Sequence, residues 1–338
     1  MTHATAHSAS APSTASMEAL RQLTARDLER VNSVILENVK SDITLISDLA
    51  SHIVSAGGKR IRPSLTIAAA QLLGYSGDRH VQLAACVEFI HTATLLHDDV
   101  VDDSHLRRGE ETANAIWGNK SSVLVGDFLL SRAFQLMVAD GGLDVLKILS
   151  DAAATISAGE VKQLMVSHDL SIEKEIYLEV IGAKTAALFE AACELGAVVS
   201  DLPEHRQNMR DFGHALGMAF QLIDDALDYT ARESELGKAI GDDFRDGKVT
   251  LPVIVAYRAS TSEEKAFWQR CFDGESEVRQ DDLVRAKQLI HYYGGIDATF
   301  ALARDYGAKA HTLLKPFKES PIRDALQDTV EFCINRSF

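Results

Sequence analysis

Two copies of the pattern Asp-Asp-x-x-Asp interrupt otherwise apolar segments of this 338-residue chain, at residues 98–102 and 224–228. If both segments are helical, residues four apart share a face, and each copy then sets two carboxylates side by side. Their repulsion opposes helix formation by roughly 0.2–0.5 kcal/mol per pair. A solvated acidic stripe is the plain alternative, but such a stripe alternates with apolar positions instead of interrupting an apolar run. The pattern therefore indicates two helices that each end against a cation.

Carboxylate clusters of this kind favour hard cations. Mg²⁺ in particular is held in proteins by one or two carboxylates together with the phosphates of a substrate. We therefore predict a magnesium site at the two acidic motifs.

The composition excludes several classes of protein. Lys and Arg number 34 against 49 Asp and Glu, a net charge of −15, so nucleic acid and anionic membranes are poor partners. The four cysteines lie far apart and form no CxxC pair, as is typical of reduced thiols in a cytosolic protein. No apolar run approaches the roughly 18 residues that span a bilayer, so we expect no transmembrane segment.

Helical periodicity dominates and strand signals are nearly absent, which predicts an all-α fold. Residues 1–16, rich in Ala, Ser and Thr without Lys or Arg, predict a disordered tail, and residues 17–338 a single all-α domain without a linker. Segment 232–247 is too polar and Gly-rich for a packed helix and predicts an active-site loop. The predicted helices are 17–39, 42–55, 63–74, 79–103, 119–139, 143–168, 173–200, 204–231, 248–260, 262–272, 279–293, 296–315 and 321–336.

Two basic clusters stand out against the acidic background. Residues 57–63 form a Gly-rich turn that leads into a helix, where backbone N–H groups, the helix dipole and cationic side chains all favour an anion. Residues 107–109 place two arginines just beyond the first acidic motif, and the planar guanidinium group matches phosphate oxygens. Ordinary surface charge is the alternative for either cluster alone. Arginine beside a magnesium cluster is what a diphosphate requires.

Several single residues are weaker candidates. His91 lies seven residues before Asp98 and so on the same helical face, although a buried, hydrogen-bonded histidine is the plain alternative. Gln221 lies three residues before Asp224, and Lys184 with Thr185 follows a glycine that weakens its helix. Two lysines flank the polar loop and could close over phosphates; they are Lys238 and Lys248.

Six ordered segments of the chain resemble the trans-isoprenyl diphosphate synthases, and within them the long-chain polyprenyl synthases that make quinone side chains. The segments are 57–63, 88–103, 107–109, 184–187, 220–229 and 241–252. The likeness extends from about residue 20 to the end of the chain. It implies an isoprenoid-synthase-type bundle of helices around a deep central cavity, usually as a homodimer.

The resemblance also implies a role for each motif residue. Mg²⁺, roughly two or three ions per site, bridges an allylic diphosphate such as farnesyl diphosphate and is bound by Asp98, Asp99, Asp102, Asp224, Asp225 and Asp228. The allylic diphosphate is held by Arg107, Lys184, Thr185, Gln221 and Lys238. Isopentenyl diphosphate is held by Lys59, Arg62, His91 and Arg108. The residues that act most directly in catalysis are Asp98, Asp102, Lys184 and Asp224.

Small residues, Ala93 and Thr94, stand where short-chain relatives carry the aromatic side chains that close the cavity. An ideal helix places Thr94 on nearly the same face as Asp98 and Ala93 well off that face. The resemblance thus implies an open channel and a product of roughly C40–C50, decaprenyl favoured, for a ubiquinone side chain. It also implies a cytoplasmic enzyme, at most loosely associated with the membrane that receives the product.

Other functions stay open at this point. A shorter-chain farnesyl or geranylgeranyl synthase shares the motifs. A regulatory subunit of a heteromeric synthase tends to lose its acidic motifs, and this chain keeps both. A terpene cyclase has no isopentenyl diphosphate to hold, so the set Lys59, Arg62 and Arg108 counts against it.

Overall fold

The computed structural model describes residues 17–55, 58–107, 109–230, 241–276 and 278–336. Helices dominate these residues, which confirms the predicted all-α class. Their bounds are α1 (Glu18–Asn38), α2 (Thr44–Ser55), α3 (Ile61–Leu72), α4 (Arg79–Val101), α5 (Ala113–Trp117), α6 (Asn119–Asp140), α7 (Leu143–Val166), α8 (Lys174–Ile181), α9 (Ala187–Val199), α10 (Arg206–Thr230), α11 (Asp242–Arg245), α12 (Leu251–Ala259), α13 (Ser262–Cys271), α14 (Gln280–Tyr292), α15 (Gly295–Leu314) and α16 (Pro321–Ile334). A two-residue antiparallel hairpin, β1 (Leu106–Arg107) and β2 (Glu110–Glu111), follows α4.

Three segments differ from the sequence prediction. The predicted helix 173–200 is divided by a single π-helical turn, Gly182–Ala186, between α8 and α9. The predicted loop 232–247 contains the short helix α11, whose first turn carries two acidic residues that suit a helix N-terminus. Helix α5 was not predicted, since five residues are too few for a periodic pattern. The tail 1–16 and residues 231–240 lie outside the described residues.

Helices α9 and α10 lie at the centre of the bundle, and both are buried along most of their length. Glycines allow them to pack backbone against backbone. A Cβ atom on Gly213 of α10 would lie 2.3 Å from the carbonyl oxygen of Phe189 on α9, and one on Gly217 would lie 2.7 Å from Cα of Ala186. On the other side of α9, a Cβ atom on Gly196 would lie 2.4 Å from Cβ of Ala69 on α3. Any larger residue at these positions would force the helices apart.

Among the described residues, one helix, α6, is long and apolar enough by length and composition to cross a membrane, with a mean hydropathy of 1.4 over an 18-residue window. The core helix of a protein that does not enter a membrane has the same length and composition. In the structure α6 packs along α4, where Ser122 Oγ donates to the Leu96 carbonyl at 2.9 Å.

Candidate active site

The two acidic motifs face one site. The first occupies the C-terminal end of α4 and the second occupies the C-terminal half of α10. Residues 241–248 bridge them: the backbone N–H of Asp243 donates to Asp228 Oδ2 at 3.2 Å, and Lys248 Nζ donates to Asp102 Oδ2 at 3.0 Å. Lys248 also lies 3.0 Å from Asp246 Oδ2, so its ammonium group stands among carboxylates.

Asp98 lies in the most crowded part of the acidic cluster. Burial raises the pKa of its carboxyl group to about 7; Lys184 opposes this shift, and Glu160 and Asp102 add to it. Lys184 Nζ lies 3.9 Å from Asp98 Oδ2 but donates to Glu160 Oε2 at 2.7 Å. Glu160 is therefore a further carboxylate of the site, contributed by α7, which the sequence analysis did not single out.

A hydrogen-bonded chain holds the buried Asp225. Its Oδ2 accepts from the Tyr177 hydroxyl at 2.5 Å and its Oδ1 from the Gln221 side-chain amide at 2.7 Å. The Gln221 oxygen in turn accepts from the Thr185 hydroxyl at 2.8 Å. Burial raises the pKa of Asp225 to about 8. The chain fixes Thr185 and Gln221, two predicted diphosphate ligands, at the wall of a cavity of about 120 Å³ that also includes Lys184.

Arginine side chains form ion pairs with one further aspartate of each motif. Arg107 of β1 donates from Nε and Nη2 to Asp99 Oδ1, at 2.8 and 2.6 Å. Arg336, near the end of the described chain, donates to Asp224 Oδ1 at 2.6 Å and stacks over the ring of Phe220 at 4.3 Å. Arg336 is only 7% exposed and was not among the predicted site residues, since no motif surrounds it.

The basic segment before α3 lies against α4. Arg62 Nη1 donates to His91 Nε2 at 3.1 Å, and the Arg62 guanidinium lies 4.7 Å from the centre of the Phe189 ring. Lys59 Nζ lies 5.1 Å from the centre of the Phe332 ring. The structure thus brings Arg62 and His91 together, and Lys59 lies three residues before Arg62. The other predicted members of the diphosphate sites, Arg108 and Lys238, lie outside the described residues.

The two residues predicted to control chain length differ in exposure. Thr94 is partly exposed, as are His91 and Asp98 on the same helical face, and its hydroxyl donates to the His91 carbonyl at 2.8 Å. Ala93 is only 1% exposed and belongs to the hydrophobic core. Of the two, Thr94 lies on the partly exposed helical face that also carries Asp98.

The donor set fits a divalent cation that is shared with a substrate. Among the described residues, no three acidic, histidine or cysteine side chains are close enough to hold an ion by themselves. Asp98 is nevertheless a carboxylate whose pKa is raised, first by burial and then by the neighbouring carboxylates of Glu160 and Asp102, so a bound cation would stabilise its charged form. In addition, Glu160 Oε1 is buried without a hydrogen-bond partner. All-oxygen ligands completed by phosphate oxygens are the usual environment of Mg²⁺.

Comparison with known proteins agrees with this geometry. The polyprenyl synthetase family model matches residues 43–290. Octaprenyl diphosphate synthase of Escherichia coli K12 is 44% identical over 322 residues, which cover 95% of this chain and 99% of that protein.

Two crystal structures share the fold. A polyprenyl synthase from Caulobacter crescentus CB15, in complex with calcium and isoprenyl diphosphate, superimposes with a TM-score of 0.92 at 49% identity and covers 95% of this chain and 98% of its own. A decaprenyl diphosphate synthase from Rhodobacter capsulatus gives a TM-score of 0.89 at 46% identity, and the match covers 94% of this chain and 98% of that protein. The resemblance seen in the sequence motifs is thereby confirmed, and the chain belongs to the polyprenyl synthetase family of prenyltransferases.

Proposed function

We propose that this protein is a long-chain all-trans polyprenyl diphosphate synthase, which adds isopentenyl diphosphate repeatedly to an allylic diphosphate. One observation carries the proposal: two acidic motifs face a single site that has two separate sets of cationic side chains. Lys184, Arg107 and Lys248 lie at the carboxylates. Arg62, by contrast, lies beside His91, and Lys59 is three residues before it in the segment that leads into α3. Two sets of cations suit two diphosphate substrates.

The reaction needs charge neutralisation more than a protein nucleophile. The C1–O bond of the allylic diphosphate breaks, and its electron pair leaves with the diphosphate. The double bond of isopentenyl diphosphate then attacks C1, and a proton is lost to the released diphosphate. Lys184 and Arg107 stabilise the negative charge that develops on the leaving group. Apolar walls exclude water that would otherwise capture the carbocation.

Mg²⁺ would be held by the acidic motifs, Asp98, Asp99 and Asp102 on α4 and Asp224, Asp225 and Asp228 on α10. When bound, it supplies the positive charge that offsets the departing diphosphate. Asp98, with Lys184 and Glu160 beside it, has the surroundings that best suit this role. Asp99 accepts a hydrogen bond from Arg107, and Asp225 accepts hydrogen bonds from Tyr177 and Gln221. Each carboxylate would bind the ion either beside its present hydrogen-bond donor or in exchange for it.

The product is of roughly C40–C50 length, for a quinone side chain. Octaprenyl and decaprenyl synthases are among the relatives, which supports this range and leaves the number of isoprene units to experiment. The test is to incubate the protein with labelled isopentenyl diphosphate, farnesyl diphosphate and Mg²⁺ and to measure the product length by chromatography. We expect long all-trans products that require Mg²⁺, and none from Asp98→Asn. Products that stop at C15 or C20 would refute the long-chain assignment.

We also propose that the protein acts as a homodimer. Helices α6 and α7 expose large apolar side chains, among them Leu124, Val138, Leu164 and Met165. A second copy suits this face because a two-fold axis pairs one patch with itself. Acidic residues such as Asp127 border the patch and disfavour an anionic membrane as its occupant.

Analytical ultracentrifugation tests the dimer. The wild-type protein should sediment as a dimer, and Leu124→Arg with Val138→Arg should sediment as a monomer. Tyr292→Arg is the control: it replaces a side chain on α14 that is at least as exposed as Leu124 and Val138, and it should leave the dimer intact. A monomeric wild-type protein would exclude the dimer.

A further inference from the structure

The backbone at Arg60 has an unusual conformation. Its φ is 46°, in the left-handed region that side chains other than glycine seldom adopt. Arg60 directly precedes α3; it follows Lys59 immediately and is two residues before Arg62. A strained residue of this kind persists only where its surroundings hold it, and such residues cluster at functional sites.

A buried carboxylate holds Arg60 in place. Glu88 lies in the middle of α4, where its neighbours are apolar, and is only 8% exposed. A carboxylate in such a place is costly unless a cation pairs with it. Arg60 Nη1 donates to Glu88 Oε1, and both side chains are largely withdrawn from solvent. Neither partner can therefore be removed without leaving the other charge buried.

A second contact, between Arg62 and His91, lies one helical turn from the Arg60–Glu88 ion pair. Glu88 and His91 are three residues apart on α4 and so lie on one face of the helix. Arg60 contacts Glu88, and Arg62 contacts His91. The segment before α3 is therefore attached at two residues to a single turn of α4. The segment cannot slide along α4 while both contacts hold. Lys59, which directly precedes Arg60, is exposed, and its ammonium group lies 5.1 Å from the centre of the Phe332 ring.

We propose that Arg60 and Glu88 are positioning residues for the isopentenyl diphosphate subsite, which they form indirectly by fixing Lys59 and Arg62 against α4. The proposal rests on the proposed function. Arg60 itself is turned to Glu88 and does not serve as a diphosphate ligand. The allylic subsite should not depend on this pair, because Lys184 and Arg107 are held by other carboxylates, those of Glu160 and Asp99.

Steady-state kinetics of Glu88→Gln and Arg60→Ala test the proposal. Each should raise KM for isopentenyl diphosphate about tenfold, while KM for farnesyl diphosphate and kcat stay within about twofold. Arg60→Lys keeps the positive charge and should restore most of the affinity. Arg60→Gly should melt at a higher temperature than Arg60→Ala, since glycine accepts the left-handed backbone, yet should show the same raised KM.

Glu194→Gln is the matched control. Glu194 on α9 pairs with Arg206, and its side chain is 11% exposed against 10% for Glu88. This variant should lose stability without a change in either KM. Equal rises in both KM values, or an unchanged KM for isopentenyl diphosphate in folded Glu88→Gln and Arg60→Ala, would overturn the proposal. Arg60→Gly, which should fold more stably than Arg60→Ala, serves as the folded variant if Glu88→Gln does not fold. Failure of the proposed function is distinguishable, because the wild-type protein would then make no polyprenyl product.

Discussion

Lys248 and Asp102, which are 146 residues apart in the chain, form an ion pair of 3.0 Å that joins the end of α4 to the segment after α11. Burial alone would lower the pKa of Lys248, but the carboxylates of Asp243, Asp102 and Asp246 raise it well above its usual value. The ammonium group therefore stays charged and acts as an internal cation between carboxylates.

Replacement of this internal cation should strengthen metal binding. In Lys248→Ala the cluster gains one net negative charge, so its affinity for Mg²⁺ without substrate should rise several-fold. Isothermal titration calorimetry measures this directly and does not depend on catalysis. Lys147→Ala makes the same change of charge at an exposed ion pair with Asp151 and should leave the affinity unchanged. An unaltered Mg²⁺ affinity in Lys248→Ala would exclude competition between the lysine and the metal.

Glu160 should matter for the allylic substrate. Glu160→Ala frees Lys184 to move onto Asp98, now 3.9 Å away, and should raise KM for the allylic diphosphate about tenfold, since charge-assisted hydrogen bonds contribute roughly 1.5–3 kcal/mol. Glu160→Gln keeps an acceptor for Lys184 and should have a smaller effect. Initial rates at varied primer concentration provide the measurement. Glu179→Ala, at an exposed pair with Lys162, is the control, and an equal effect there would contradict a specific role.

Stability without Mg²⁺ should decrease as the pH rises. The folded-state pKa values of Asp98 and Asp225, about 7 and about 8, exceed the ordinary value of 3.8. From pH 4 to 7 the folded protein therefore keeps protons that the unfolded chain has lost, and the free energy of unfolding falls by up to about 1.4 kcal/mol per pH unit for each retained proton. Urea denaturation from pH 5 to 8 measures the slope. Asp98→Asn should reduce it, and a slope identical to that of the wild type would refute the shift at Asp98.

The basic cluster at the start of α3 should distinguish the two substrates. Lys59→Ala or Arg62→Ala should raise KM for isopentenyl diphosphate about ten- to a hundredfold, because each removes a charge-assisted phosphate contact. KM for farnesyl diphosphate should change little. The measurement is a pair of substrate titrations for each variant, and Lys147→Ala, at a surface pair with Asp151, is the control. Equal effects on both substrates would count against separate subsites.

The length of the product should respond to Thr94 more than to Ala93. A ring at Thr94 projects from the partly exposed face beside Asp98, so Thr94→Phe should shorten the main product toward C15–C20 and spare the first condensation. Ala93→Tyr places its ring in the core and should lower the free energy of unfolding by roughly 1–3 kcal/mol. Reversed-phase chromatography of dephosphorylated products and thermal denaturation separate the two effects. Unchanged product length in active Thr94→Phe would show that the chain takes another route.

Much of the fold followed from local sequence. The predicted helices agree with the observed ones within a few residues, because glycines, prolines and polar turns mark their ends. Both acidic motifs also lie on helices, as their spacing indicated. In the sequence, the π-helical turn at Gly182–Ala186 shows only as a low helix propensity, since its geometry depends on packing against α7 and α10.

The partners of the motif residues could not be predicted. Glu160 looks like an ordinary helix charge until α7 brings it within 2.7 Å of Lys184. Arg336 reaches Asp224 across 112 residues, and no local pattern marks it. Tyr177 gives no signal either, because its hydrogen bond to Asp225 depends on the packing of α8 against α10. Such contacts result from the tertiary arrangement, whereas periodicity and capping act within one helix.

The glycine contacts between α9 and α10 limit how the active site can move. With backbone against backbone at Gly213 and Gly217, neither helix can shift or rotate against the other without a steric clash. Asp224 on α10 and Thr185 on the π-helical turn before α9 therefore keep fixed positions relative to each other. Adjustment to a lengthening product must come from elsewhere, such as the segments around Lys59 and Lys248, whose contacts with α4 are made by the side chains of Arg60, Arg62 and Lys248.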